Sequence, residues 1–199
     1  KANIAFDQRP QESFPLFAAS ISGRSALTYA LQMWGAVRLL DNSQFSERPN
    51  EEAGTPPLDP AFTFERFNEM LDEYPEKTSK GIKGFLVATG YVTPNCINGL
   101  GNAIAQDILY HARLSPKRKT KNISPDERRV LYDAINFTVA DAIELGGRYD
   151  EVDLYGQKGG YIRLMDSKSA KTPCPNCGAE IQKIAYLGGA CYLCSQCQN

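Results

Sequence analysis

Histidine is almost missing from this chain. His111 alone serves all 199 residues, which excludes sites built on paired imidazoles and acid–base dyads of two histidines. With no acid–base partner evident in the sequence, His111 is read as a surface residue on its helix. Long apolar runs are missing as well: none approaches the roughly 20 residues that span a bilayer, so no membrane partner is expected. No recognisable signal peptide opens the sequence, and a reducing, cytoplasmic compartment is expected. There is no excess of either charge, with 22 basic against 23 acidic residues and a net charge of −1, which at first argues against a nucleic-acid partner. No internal repeat is visible.

What cysteine there is gathers at the C-terminal end. Cys174-Pro175-Asn176-Cys177-Gly178 and Cys194-Ser195-Gln196-Cys197 are two C-x-x-C pairs, sixteen residues apart. Four thiolates on two tight turns close a tetrahedron around one Zn²⁺, and a closed four-thiolate site is structural rather than catalytic. Disulfides, a redox motif and iron in the same geometry are the alternatives; the first is disfavoured by the missing signal peptide and the second needs only one pair. Between the knuckles, residues 181–187 and 190–193 read as a hairpin turning at Gly188-Gly189. A segment this short buries too little apolar surface to fold unaided, so metal binding and folding are expected to be one event. Cys96 and Cys191 are read as small buried side chains.

The balanced net charge hides a sign reversal along the chain. Residues 47–76 hold nine acidic against two basic side chains, whereas residues 111–129 hold seven basic (Arg113, Lys117, Arg118, Lys119, Lys121, Arg128, Arg129) against two acidic. That asymmetry makes a locally positive face, with a solvated surface as the plain alternative.

Element signals give an α+β chain in pieces. Stretches 16–21, 26–31 and 36–40 read as strands of a small antiparallel sheet; residues 41–58, rich in proline, glycine and acid, read as a linker. Asp59-Pro60 reads as the N-cap and first position of a helix carrying Phe64, Phe67, Met70 and Leu71. A short helical piece is expected over 82–88, and a second full helix over 98–113. A third opens on the capping box Ser124-Pro125-Asp126-Glu127 and ends at Gly146-Gly147. The domains expected are 1–45, a remnant of a β-sandwich; 46–58, linker; 59–150, a helical bundle; and 151–199, a zinc ribbon.

The run Asn98-Gly99-Leu100-Gly101-Asn102-Ala103-Ile104-Ala105-Gln106-Asp107-Ile108-Leu109-Tyr110, followed by Leu114-Ser115-Pro116, resembles the helix–two-turns–helix motif of the formamidopyrimidine-DNA glycosylase and endonuclease VIII family. That family also ends in a four-cysteine zinc ribbon closing on Cys-x-x-Cys-Gln, here Cys194 to Gln198. The motif has mechanics of its own. Gly99 and Gly101 turn the chain sharply into a helix whose first amides point outward, an anion site that the helix dipole strengthens. Asn102 either adds a side-chain donor for a DNA phosphate or merely caps the helix. Lys117, Arg118, Lys119 and Lys121 lie just beyond and supply sequence-independent attraction to the backbone, with Lys80 and Lys83 as weaker candidates.

The resemblance implies base-excision repair of oxidised bases: a glycosylase with abasic-site (AP) lyase activity that extrudes the base and attacks its sugar with an N-terminal proline amine. The implied partner is damaged double-stranded DNA and the implied cofactor one structural Zn²⁺. The implied setting is a bacterial-type, nucleoid-associated monomer. Three departures qualify this. The chain opens Lys1-Ala2-Asn3, without the family's Pro-Glu, so no catalytic residue is assigned and a missing N-terminal catalytic part is expected. No arginine stands at the ribbon tip, leaving the amides around Gly189 to meet DNA. Trp34, in Gln32-Met33-Trp34-Gly35, falls where the family places wedge residues; it serves either as a wedge or as a core tryptophan. The alternative to a glycosylase fragment is a non-catalytic zinc-ribbon protein of the same descent that binds DNA or structured RNA.

Overall fold

A computed structural model describes the backbone of residues 3–10, 17–21, 25–29 and 34–40, and the full detail of residues 54–75, 81–87, 96–153 and 155–199. The chain splits into two units, Lys1–Asn50 and Glu51–Asn199.

In the first unit, β1 (Asn3–Pro10) pairs antiparallel with β4 (Trp34–Leu40), and β2 (Phe17–Ile21) pairs with β3 (Ser25–Tyr29). Asn3 lies opposite Leu40 and Phe6 opposite Val37, until the register slips between Asp7 and Pro10. The β1 strand is an addition to the sequence reading. Its Asp7-Gln8-Arg9-Pro10 end breaks the apolar alternation, and an irregular pairing tolerates residues that a regular ladder does not. Residues 30–33, with the expected end of the second strand at 31, lie outside the described residues, as do 41–53 of the linker.

The second unit starts differently from the sequence expectation. Asp59 does not cap a helix: its Oδ1 accepts the amide of Ala61 at 2.8 Å in a local turn, and α1 (Phe64–Glu73) begins five residues later, capped by the Thr63 hydroxyl. The turn lets Phe62 enter the core ahead of the helix, stacked on Tyr132 at 5.5 Å and edge-on to Phe67. Phe67, Met70 and Leu71 are buried as their spacing predicts. The short α2 (Gly81–Leu86) is buried along its length, and α3 (Asn102–His111) follows the glycine turn. A 3₁₀ turn (Thr120–Asn122) leads to α4 (Pro125–Glu144).

Both ends of α4 are fixed by local chemistry. Ser124 Oγ accepts the Glu127 amide and Glu127 Oε2 accepts the Ser124 amide, so each satisfies a donor the helix start leaves open. At the other end Gly146 and Gly147 take positive φ, and their amides return to the carbonyls of Ile143 and Ala142 in a Schellman closure. The apolar faces of α1, α2, α3 and α4 meet in one core that includes Ile82, Phe85, Ile108, Leu109, Leu131 and Ile135. Its aromatic corner, Phe62, Phe64, Phe67 and Tyr132, adds edge-to-face and stacked contacts.

A second, smaller core joins Met165, Ile181, Tyr192, Cys174 and Cys194 to Tyr110 of α3. Its hairpin is β5 (Gln182–Tyr186) against β6 (Gly189–Leu193), with Tyr186 paired to Gly189. The turn is therefore Leu187-Gly188, one residue earlier than the expected Gly188-Gly189. Both turn residues take positive φ, 54° and 73°, as a type I′ turn requires to match the strand twist. No helix of the described residues is long and apolar enough to cross a membrane.

Candidate nucleic-acid interface and metal centre

Gly99 holds φ 84°, a value few side chains tolerate, and so reverses the chain ahead of α3. Gly101 is the N-cap at ordinary φ, and no side chain caps the first turn. Asn102 is thus not the cap but the first residue of the helix. A Cβ built on Gly99 or Gly101 would meet nothing within 4 Å, so both glycines border open solvent. Gly99, Gly101 and Asn102 are exposed while Leu100 between them is buried, an anchor that fixes the turn to the core. The first amides of an uncapped helix have no intrahelical partner.

Asn102 also ties this turn to the ribbon. Its Nδ2 donates to the carbonyl of Ala190 at 3.5 Å, next to Gly189 at the start of β6. One helical turn on, Gln106 is buried; its Oε1 accepts the Tyr192 amide at 2.6 Å while its Nε2 donates to the Asn102 carbonyl at 3.1 Å. The chain end closes the same seam. Gln198 Oε1 accepts the Cys194 amide, its Nε2 donates to the Leu114 carbonyl, and the Ser115 amide donates to the Asn199 carbonyl. The pair of bonds made by Gln198 is the physical reason a glutamine follows the last cysteine.

The basic residues separate into different roles. Lys117 is exposed, with its ammonium 5.7 Å from the centre of the Tyr186 ring on the hairpin. Lys119 and Lys121 are exposed on and beside the 3₁₀ turn. Arg118 turns inward, donating to the Asn122 carbonyl and to Glu127, and so fastens the loop that carries the lysines. Lys83 is 2% exposed, its Nζ donating to the Tyr186 carbonyl at 3.3 Å; it holds the end of β5 beside the hairpin turn. Lys80, the side chain of Trp34 and residues 91–95 lie outside the described residues. The structure thus brings Gly99, Gly101, Asn102, Lys117 and the neighbourhood of Gly189 together.

The sequence assigns no role to Gln106, Asp107 or Tyr110 of α3, yet each has a partner in residues 161–199. The Asp107 carboxylate accepts the Tyr161 hydroxyl at 2.8 Å and the amides of Leu164 and Met165 at 3.2 and 2.8 Å. A helix buried on more than one face carries polar residues that reach backbone groups of its neighbours, and the available signal was the run of consecutive Gln106 and Asp107 in mid-helix. His111, half-buried, lies edge-on to Phe137 at 5.5 Å.

A cavity of about 630 Å³ opens beside the glycine turn. Ile104, Val139, Ala142 and Ile143 give it an apolar wall, and Asn98, Arg148 and Glu151 a polar rim. Arg148 is held in place by Asp150 and Glu151.

The four sulfurs of Cys174, Cys177, Cys194 and Cys197 lie within 4.8 Å of one another. Cys174 and Cys197 are 3.8 Å apart, and Cys177 and Cys194 3.5 Å. Zinc–sulfur bonds of about 2.3 Å in a regular tetrahedron put the sulfurs about 3.8 Å apart, so the donor set fits that ion and is far too open for disulfides. Burial opposes ionisation of Cys174, yet the Tyr110 hydroxyl and the amides of Cys177 and Asn176 outweigh it and bring the thiol down to about 6. Cys191 is buried with a thiol pushed up by burial, and stays outside the cluster.

Residues 53–152 match the family model described as the formamidopyrimidine-DNA glycosylase H2TH domain. Formamidopyrimidine-DNA glycosylase of Halalkalibacterium halodurans is 31% identical over 173 residues, covering 85% of this chain and 60% of the relative. That of Desulforamulus reducens is 30% identical, covering 85% and 59%. The chain therefore spans about three fifths of the length of these curated relatives. Among solved structures, the MutM (Fpg) protein of Thermus thermophilus superimposes with a TM-score of 0.79 at 25% identity, covering 99% of this chain and 76% of that one. The Lactococcus lactis Fpg in complex with DNA containing an abasic site gives 0.74 at 24% identity, covering 99% and 71%.

Proposed function

Because the chain belongs to the formamidopyrimidine-DNA glycosylase family, we propose that it is the DNA-gripping portion of a base-excision-repair glycosylase and AP lyase for oxidised bases. The observation that carries the reading is the junction of two surfaces: an uncapped helix start at Gly101-Asn102 and a hairpin whose Ala190 carbonyl the Asn102 side chain reaches. Outward amides and a helix dipole favour an anion there, and Lys117 and Lys119 add charge for neighbouring phosphates. One structural Zn²⁺ on Cys174, Cys177, Cys194 and Cys197 holds the hairpin in place. The cavity beside the turn takes the extruded base, its apolar wall against the ring and its rim against the polar edge. No nucleophile is assigned to this chain, and the relatives' names support the substrate class only at family level.

The test is borohydride trapping of the full-length protein on abasic duplex. Attack by an amine forms a Schiff base that borohydride reduces to a stable covalent adduct, while a protein that only binds leaves none. A trapped adduct is expected. Binding of the abasic duplex without trapping would assign the chain to a non-catalytic DNA-binding branch.

A further inference from the structure

Three polar side chains of α3, Asn102, Gln106 and Tyr110, stand at i, i+4 and i+8 and so share one face of the helix. All three reach the ribbon. The first two bond hairpin backbone, at Ala190 and Tyr192. The third is different in kind: the Tyr110 hydroxyl lies 3.3 Å from Cys174 Sγ, a candidate metal ligand, in a buried contact. Packing does not require that oxygen. The Tyr110 ring belongs to the ribbon core with Met165, Ile181 and Tyr192, and phenylalanine fills the same volume.

A thiolate bound to a cation has no proton to give, so the hydroxyl is the donor in the metal-loaded site. A second side chain serves the cluster from outside: Asn176 Nδ2 donates to Cys197 Sγ at 3.3 Å, and Asn176 is exposed. The two donors differ in what replaces them. Water reaches Cys197 when the Asn176 amide is removed, whereas Cys174 and Tyr110 are buried, so no water replaces a lost hydroxyl and the sulfur keeps only the backbone amides of Cys177 and Asn176.

We infer that the Tyr110 hydroxyl is an outer hydrogen-bond donor to the metal-bound sulfur of Cys174, tying retention of the metal to the same helix that opens at Gly101. This rests on the reading of the four cysteines as a zinc site. A hydrogen bond draws charge from the thiolate, so the sulfur is less open to protons and oxidants; loss of such outer partners lowers metal affinity by roughly 10–100-fold. Tyr110 is a positioning residue for the metal, not a ligand.

The experiment is chelator competition on the whole chain under reducing conditions, for the native protein, Tyr110→Phe and Asn176→Ala, together with cobalt(II) spectra of each. Tyr110→Phe should bind zinc roughly tenfold more weakly and shift the sulfur-to-cobalt charge-transfer band to longer wavelength. Asn176→Ala should stay within about twofold, because water takes the donor's place. Equal affinities and superimposable cobalt bands for the native protein and Tyr110→Phe would overturn the inference. So would a Tyr110→Phe chain that fails to fold at saturating zinc, since a role confined to the sulfur predicts a native loaded state. A native protein that takes up neither zinc nor cobalt would instead remove the zinc reading itself.

Discussion

Asp107 is fully buried and its carboxylate is met by three donors, one of them the Tyr161 hydroxyl. Burial still holds its carboxyl above the ordinary aspartate value of 3.8, so the folded chain keeps this proton more tightly than the unfolded chain. The stability that Asp107 contributes is therefore complete below that ordinary value and is lost as pH rises through the raised one. Urea unfolding of the native protein and Asp107→Asn, compared at each pH so that metal loss is common to both, should show the native advantage shrinking as pH rises. Tyr161→Phe removes a donor from a buried carboxylate and should destabilise the chain by about 1–3 kcal/mol in the same assay near neutral pH. The sequence shows Asp107 only as an acidic residue in mid-helix, because the partners that define its role lie more than fifty positions away.

Elements were legible where their signals are local. The capping box at Ser124, the glycine closure of α4 and the C-x-x-C knuckles depend on contacts a few residues apart, and the structure forms all three. Elements decided by distant packing were displaced: α1 starts at Phe64 rather than beside Pro60 because Phe62 must first stack on Tyr132. The hairpin turn moved to Leu187-Gly188 because its register follows the pairing of Gln182 with Leu193, set by the knuckles and by Gln106 beneath. Leu187 consequently sits in a left-handed conformation that asparagine accepts far more readily. Leu187→Asn is expected to stabilise the zinc-loaded protein by about 1 kcal/mol, seen as a rise in melting temperature. In the helical core, Leu131→Ala, at a fully buried site, should cost about 3 kcal/mol by chemical unfolding while leaving zinc affinity unchanged.

On the scale of the molecule, the helical core and the ribbon share one compact unit, and α3 contributes to both cores. The seam between them, from Asn102 to Asn199, sets the hairpin relative to the glycine turn. Chelation should therefore unfold the hairpin first and weaken duplex binding, with most helical signal retained in circular dichroism. Lys117→Ala and Lys119→Ala together should lower the slope of log affinity against log salt by about 2. The measurement that bears most directly on the grip itself is equilibrium titration of labelled abasic duplex into the native protein and Asn102→Ala. The variant should keep native helix content and lose about 1–2 kcal/mol of affinity, whatever the surrounding base sequence. Unchanged affinity in a folded Asn102→Ala protein would contradict the account, leaving the glycine-opened helix as scaffold only.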